Sequence, residues 1–174
     1  MKNLNKLFLA AFLLISVPSF ANDGMGVIDM RVAVLSTQQA QDTFKALEED
    51  ADYAAKVEAA QTLQADRQAL AETLQKDGET MSQEEVGSAQ KSIQDKSQEL
   101  EFIVGQIQAK QNETAEKIFR DMNPLLQKIL QELIAAKQLK VLLARDTAIF
   151  ADPALDITQS VTDMLDVAAS GANE

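Results

Sequence analysis

The sequence predicts an α+β protein that is mostly α: a long antiparallel helical hairpin, of the coiled-coil tentacle type, on a small β body assembled between subunits. The first observation is residues 40–138, which are rich in Ala, Gln, Leu, Lys and Glu and contain one proline. The second is a single interruption at residues 76–82 (KDGETMS), where Gly78 and short polar residues let the chain reverse. The third is the presence of short β-like runs on both sides of the helical stretch. These features indicate two helices folded back on each other above a shared base.

Residues 1–21 have the three parts of a secretory signal peptide. Two lysines precede the apolar run 7–17 (LFLAAFLLISV), and Ser19 and Ala21 place small residues at the −3 and −1 positions of a cleavage site. A membrane anchor normally needs about 20 apolar residues, and this run is shorter. No second apolar span follows in the sequence. We therefore expect cleavage after Ala21, export, and no stable membrane insertion.

The composition argues against an enzyme. The chain has no Cys and no His, so it lacks thiol and imidazole nucleophiles and bases, and ordinary zinc ligands. No aspartate-rich loop of the calcium-binding kind is present, and we expect no cofactor and no metal. Asp29, Asp152 and Asp156 are better explained as turn and cap residues than as a catalytic cluster.

The chain is strongly acidic. Its formal charge is −11, and removal of residues 1–21, which hold two lysines and no acids, makes it −13. A chain with this charge repels the phosphate backbone, so we expect no nucleic-acid partner.

The hairpin arm is predicted to span residues 41–136, with its tip near residues 77–82. Ser82 and Glu85 have the spacing of a capping box, which indicates that the returning helix begins there. Apolar residues recur at spacings of three and four along both helices. Three bases occupy positions where this pattern asks for a hydrophobe: Arg67, Lys96 and Lys110. We therefore expect a seam that is apolar near the base and thin near the tip, and a marginally stable outer half.

The β body is predicted to consist of residues 22–40 and 137–174. Residues 24–30 (GMGVIDM) suit one strand, while residues 139–145 (LKVLLAR) and 148–151 (AIFA) are typical of a β-hairpin. Three short strands expose their edges and bury too little for independent stability. We therefore expect several copies to share one body. The candidate body residues are Val27, Ile28, Val141, Leu143, Ile149 and Phe150.

Two stretches carry a resemblance to a known family. They are residues 26–30 (GVIDM) and residues 139–158 (LKVLLARDTAIFADPALDIT), in which the ADP at 151–153 and the LDIT at 155–158 are the most specific blocks. With these blocks, and with the order signal peptide, strand, helical hairpin, β-like runs and short helix, the chain resembles the Skp/OmpH family of periplasmic chaperones. The resemblance covers nearly the whole chain after the signal peptide.

The resemblance implies a homotrimer whose short strands form a central body and whose three hairpins surround a cavity. Family members hold unfolded outer-membrane proteins in this cavity, in the periplasm and without ATP. The function expected here is therefore that of a holdase chaperone, and the alternative is a structural coiled-coil spacer or adaptor of the cell envelope. Four residues of the returning helix are candidate client contacts, or alternatively only pack against the partner helix: Ile93, Leu100, Ile103 and Ile107.

The charge of the arm departs from the family pattern. Well-known members have basic arms, which are thought to attract acidic clients and lipopolysaccharide. Residues 41–136 of this chain carry 19 acids against 10 bases. The resemblance therefore carries over no lipopolysaccharide-binding residue.

Overall fold

The structure is a computed structural model that describes residues 24–171. The predicted signal peptide and its cleavage site after Ala21 lie outside these residues. In chain order the elements are β1 (Met25–Ile28), α1 (Met30–Leu35), α2 (Gln38–Glu48), α3 (Ala51–Asp77), α4 (Gln83–Ala136), β2 (Val141–Ala144) and α5 (Thr158–Gly171), with 3-10 turns at Arg145–Thr147 and Pro153–Leu155. The predicted mostly α fold with a small sheet is confirmed.

The long hairpin is formed by α3 and α4. α3 has 27 residues and α4 has 54, which at 1.5 Å per residue gives lengths of about 40 Å and about 80 Å. The predicted capping box is present: the Ser82 hydroxyl accepts from the Glu85 N–H, and the Glu85 carboxylate accepts from the Ser82 N–H. This box satisfies two N–H groups that have no partner inside the helix, and so fixes the start of α4.

The first half of the hairpin is not the single helix that the sequence suggested. The chain breaks between α2 and α3, where the Asp50 carboxylate accepts a 2.9 Å hydrogen bond from the Tyr53 N–H and caps α3. Thr37 caps α2 in the same way through its hydroxyl and the Ala40 N–H. Because Asp and Thr are both strong N-cap residues, each one starts a new helix. α2 therefore packs in the body, and α3 alone forms the short side of the arm.

The hydrophobic core lies in the body, between α1, α2, the C-terminal part of α4, and α5. Its side chains come from all four helices, and the core residues without solvent exposure include Val34, Leu126, Val161 and Leu165. Polar groups inside the core are hydrogen-bonded; the buried Thr162 hydroxyl, for example, donates to a carbonyl of α1 at 3.0 Å. The body thus has a well-packed interior within one chain.

The prediction of a β-hairpin at residues 139–151 was wrong. Only Val141–Ala144 forms a strand, and it pairs with β1 in parallel. The next residues, Arg145–Thr147, form a 3-10 turn in which the Thr147 hydroxyl donates to the Ala144 carbonyl at 2.7 Å. This turn ends the strand, and residues 148–151 have no strand partner among the residues that the structure describes. The parallel pairing of β1 with β2 brings together the two ends of the helical segment that separates them in sequence.

The start of α5 is fixed by hydrogen bonds of Thr158. Thr158 is the first helical residue, and its N–H donates to the Asp156 carboxylate at 2.9 Å. The Thr158 hydroxyl oxygen accepts from the Asp29 N–H at 2.9 Å. Hydrogen bonds from the Thr158 hydroxyl and N–H, with the Arg145 guanidinium 2.7 Å away, hold the pKa of Asp156 below its ordinary value of 3.8.

This lowered pKa predicts an acid-dependent stability difference. A carboxyl group whose pKa is lower in the folded state stabilises that state above its unfolded pKa and loses this contribution as the pH falls through the folded value. We expect Asp156→Asn to lower the melting temperature at pH 7, and the gap to wild type to close below about pH 3.8. Thermal melts of both proteins from pH 7 to pH 2 measure the gap. A gap that stays constant over this range would contradict the role of the charge.

Candidate functional site

The seam between α3 and α4 is thin. Two polar contacts cross it: the Gln111 amide donates to the Tyr53 hydroxyl at 2.7 Å near the base, and the Lys96 ammonium lies 2.7 Å from an Asp66 carboxylate oxygen further out. Within residues 61–113 no residue is fully buried, and the apolar side chains of the seam are only partly buried. The arm is therefore held together far more weakly than the body.

The structure places the four predicted client contacts in this seam. They are Ile93, Leu100, Ile103 and Ile107, and all four are half-buried. Their spacings of three, four and seven put them on the side of α4 that carries Lys96, which reaches across to α3. The residues are brought together, but α3 already covers part of each one. Their contact with another chain stays a prediction.

Two apolar residues of α4 that sequence reasoning missed are more exposed. Phe102 is 67% exposed and Val104 is 44% exposed. The seven-residue repeat of apolar residues marks the positions that face α3. Phe102 and Val104 lie off that repeat. The sequence did contain a signal for Phe102: aromatic residues make up only 5% of the chain, and this one lies off the seven-residue repeat. Since residues two apart on a helix face different directions, Phe102 and Val104 provide separate apolar contacts on two flanks of the arm.

The two-stranded sheet has one buried face and one largely exposed face. The register pairs Met25 with Val141 and Val27 with Leu143, so these four side chains share a face. Met25 is 42% exposed, and Val141 and Leu143 are each 44% exposed, whereas Val27 is buried. Ile28 lies on the opposite face, in the core. Of the predicted body residues, Val27 and Ile28 thus belong to the interior of the single chain.

The remaining two predicted body residues, Ile149 and Phe150, are 107% and 84% exposed. They follow the 3-10 turn after β2. β1 has β2 on one side and an isolated bridge to Asp156 on the other, while the far edge of β2 has no partner strand within residues 24–171. We call Met25, Val141, Leu143, Ile149 and Phe150, together with this free edge, the open sheet surface. Such a surface is typical of an interface, because it combines exposed apolar side chains with unpaired backbone groups.

Comparison with known proteins places the chain in a family. The model of the OmpH-like outer membrane protein family matches residues 24–165. The chain belongs to this family. The resemblance carried by residues 26–30 and 139–158 is thereby confirmed. The solved structures similar to this chain include a candidate OmpH-like outer membrane chaperone from Caulobacter crescentus, with 23% identity, a TM-score of 0.45, and coverage of 83% of this chain and 85% of the other. No curated protein matches the chain.

The range predicted as the arm, residues 41–136, remains strongly negative after ion pairing, and it includes α2 and the C-terminal part of α4, which pack in the body. Residues 41–136 hold 19 acids and 10 bases. Six of these bases lie within 4.0 Å of a carboxylate in the same range, which leaves 13 acids and four bases of this range without an ion-pair partner among the described residues. Five of the six pairs join side chains that are more than half exposed, so each of these pairs contributes at most about 1 kcal/mol. From residue 24 to residue 171, no helix is both long and apolar enough to cross a membrane.

Proposed function

We propose that this protein is an ATP-independent holdase chaperone that binds unfolded outer-membrane proteins in the periplasm and prevents their aggregation. The observation that carries the proposal is the arm, in which no residue from 61 to 113 is buried and Phe102 and Val104 are exposed. A weakly packed helical hairpin can adjust its shape, so it can form many weak apolar contacts with chains of different sequence. Membership of the OmpH-like family supports the proposal.

The arm suits retention of a client rather than a chemical reaction. Its half-buried seam residues become available when α3 and α4 separate locally, and little buried surface opposes this separation. Its charged residues keep the complex hydrated while the client is bound. Binding and release then follow from weak contacts alone, and we propose no catalytic residue and no cofactor.

We further propose a homotrimer assembled through the open sheet surface. Pairing of β2 with strands of other copies satisfies its free edge, and the same contact covers Ile149 and Phe150. The arms of one trimer then project from a common body and enclose a space between them. Export by the predicted signal peptide, residues 1–21, places this trimer in the periplasm.

The test is suppression of aggregation by the processed protein, which is the chain without residues 1–21. An unfolded β-barrel outer-membrane protein is diluted from denaturant with the processed protein at stoichiometric amounts, and turbidity is followed without ATP. A holdase keeps the turbidity low. The alternative function, a coiled-coil spacer or adaptor, predicts turbidity equal to that of the client alone, and this result would reject the proposal.

The exposed residues of the arm give a more specific prediction. We expect Phe102→Ser combined with Val104→Ser to raise the concentration of protein needed for half-suppression by about three- to tenfold, because the client loses apolar area on each arm. The matched control is Val32→Ser with Val167→Ser, which removes two exposed apolar side chains from the body. The control should behave as wild type. Equal loss in both variants would show that the arm residues have no special role.

A further inference from the structure

The two exposed apolar residues of the arm each have an acidic neighbour on the same side of the helix. Glu99 precedes Phe102 by three residues, and Glu101 precedes Val104 by three. On an α-helix this spacing places side chains about 5–6 Å apart at their Cβ atoms. Both glutamates are exposed. Each flank of the arm therefore presents an apolar group beside a carboxylate, and we call these the two acid–apolar pairs.

Neither carboxylate has a cationic partner in the part of the chain that the structure describes. Residues 97–109 of α4 contain no Lys or Arg. The bases at the two ends of this segment are engaged elsewhere, Lys96 with Asp66 at 2.7 Å and Lys110 with Glu113 at 3.0 Å. The facing part of α3 lies between Tyr53 and Asp66, and its one base, Lys56, lies beside Gln106 and Ala109 rather than beside either glutamate. The carboxylates of the acid–apolar pairs are thus available to a cation from outside the chain.

From this arrangement we infer that the preferred client segment is an extended chain in which an apolar residue and a Lys or Arg stand two positions apart. In an extended chain, residues i and i+2 lie on one face about 7 Å apart. An apolar residue and a base at this spacing can contact the apolar group and the carboxylate of one acid–apolar pair. The excess of 13 unpaired acids over four unpaired bases in residues 41–136 also favours a positively charged client. This inference rests on the proposed holdase function.

The experiment measures binding of three labelled peptides of equal length to the processed protein by fluorescence anisotropy. The Lys, Glu and Ser peptides repeat the units Val-Ser-Lys-Ser, Val-Ser-Glu-Ser and Val-Ser-Ser-Ser, so that Val and the test residue lie on one face of the extended chain. We expect the Lys peptide to bind about tenfold more tightly than the Glu peptide in low salt, with the Ser peptide between them. The difference should shrink as the salt concentration rises to about 0.5 M, because exposed charges are then screened. Equal affinity for the Lys and Glu peptides in low salt would overturn the inference.

Two variants of equal net charge locate the preference. Glu99→Gln with Glu101→Gln removes the carboxylates of both pairs and should reduce the preference for the Lys peptide to about threefold or less, with the affinity for the Ser peptide unchanged. The control, Glu48→Gln with Glu79→Gln, removes two exposed acids that have no ion-pair partner within residues 24–171, one at the end of α2 in the body and one at the tip of the arm. It should keep the tenfold preference. An equal loss in both variants would assign the effect to total charge and refute the role of the pairs.

The outcomes separate this inference from the proposed function. Binding of the Ser peptide together with suppressed aggregation, but without a preference between Lys and Glu, would refute only the inference. Absence of binding to all three peptides together with unsuppressed aggregation would refute the holdase function itself.

Discussion

Replacing both Ile149 and Phe150 by aspartate is expected to convert the assembled protein into single chains that no longer keep an unfolded client in solution. The two side chains are 107% and 84% exposed in the single chain, so they contribute nothing to its core. Burial of each one in an assembly contributes about 1.5–3 kcal/mol, and aspartate in the same place adds the cost of a buried charge. Light scattering of the processed protein should therefore show the mass of one chain, and half-suppression of aggregation should require far more protein.

The matched control for this variant is Val32→Asp with Val167→Asp. These residues are 49% and 72% exposed and lie on helices of the body, outside the open sheet surface. The control should keep the mass of the wild-type assembly, and far-UV circular dichroism should show the same helix content in all three proteins. An Ile149 and Phe150 variant that retains the wild-type mass would show that the open sheet surface is not the interface.

The helical part of the fold could be predicted because its signals are local. The capping box of Ser82 and Glu85 acts within one turn, and it lies where the sequence placed the start of the returning helix. The interruption at residues 76–82 indicated the reversal for the same reason. The break at Asp50 also has a local signal, a strong N-cap residue, but the residues on both sides of it are good helix formers and conceal it.

The sheet could not be predicted because its pairing is not local. Residues 139–151 contain two β-like runs, and proximity in sequence favours a hairpin. β1 is more than 100 residues away along the chain, yet the helical hairpin returns the chain to its own starting point and makes β1 the partner of β2. Exposed residues such as Phe102 were missed for a related reason, because a repeat pattern reports which residues face the partner helix and carries no information about the opposite side.

A comparison of two leucine substitutions is expected to separate the stability of the body from that of the arm. Leu126 of α4 has no solvent exposure and packs in the core, so Leu126→Ala should cost about 2–5 kcal/mol of unfolding free energy. For a chain of this size, that loss lowers the melting temperature by roughly 5–20 °C. Leu63 of α3 lies half-buried in the seam, where the neighbouring seam position Arg67 is charged. Leu63→Ala should therefore cost less than Leu126→Ala, about 1–2 kcal/mol, because part of the leucine surface is already in contact with water.

The two variants should also differ in where they act. Thermal melts report the body, and amide hydrogen exchange reports each segment separately. Leu126→Ala should lower the main transition and speed exchange throughout the body helices. Leu63→Ala should leave the main transition in place and speed exchange only in residues 61–113, where no residue is buried. If Leu63→Ala lowered the main transition as much as Leu126→Ala, the arm would be as tightly packed as the core, and it could not open to accommodate an unfolded chain.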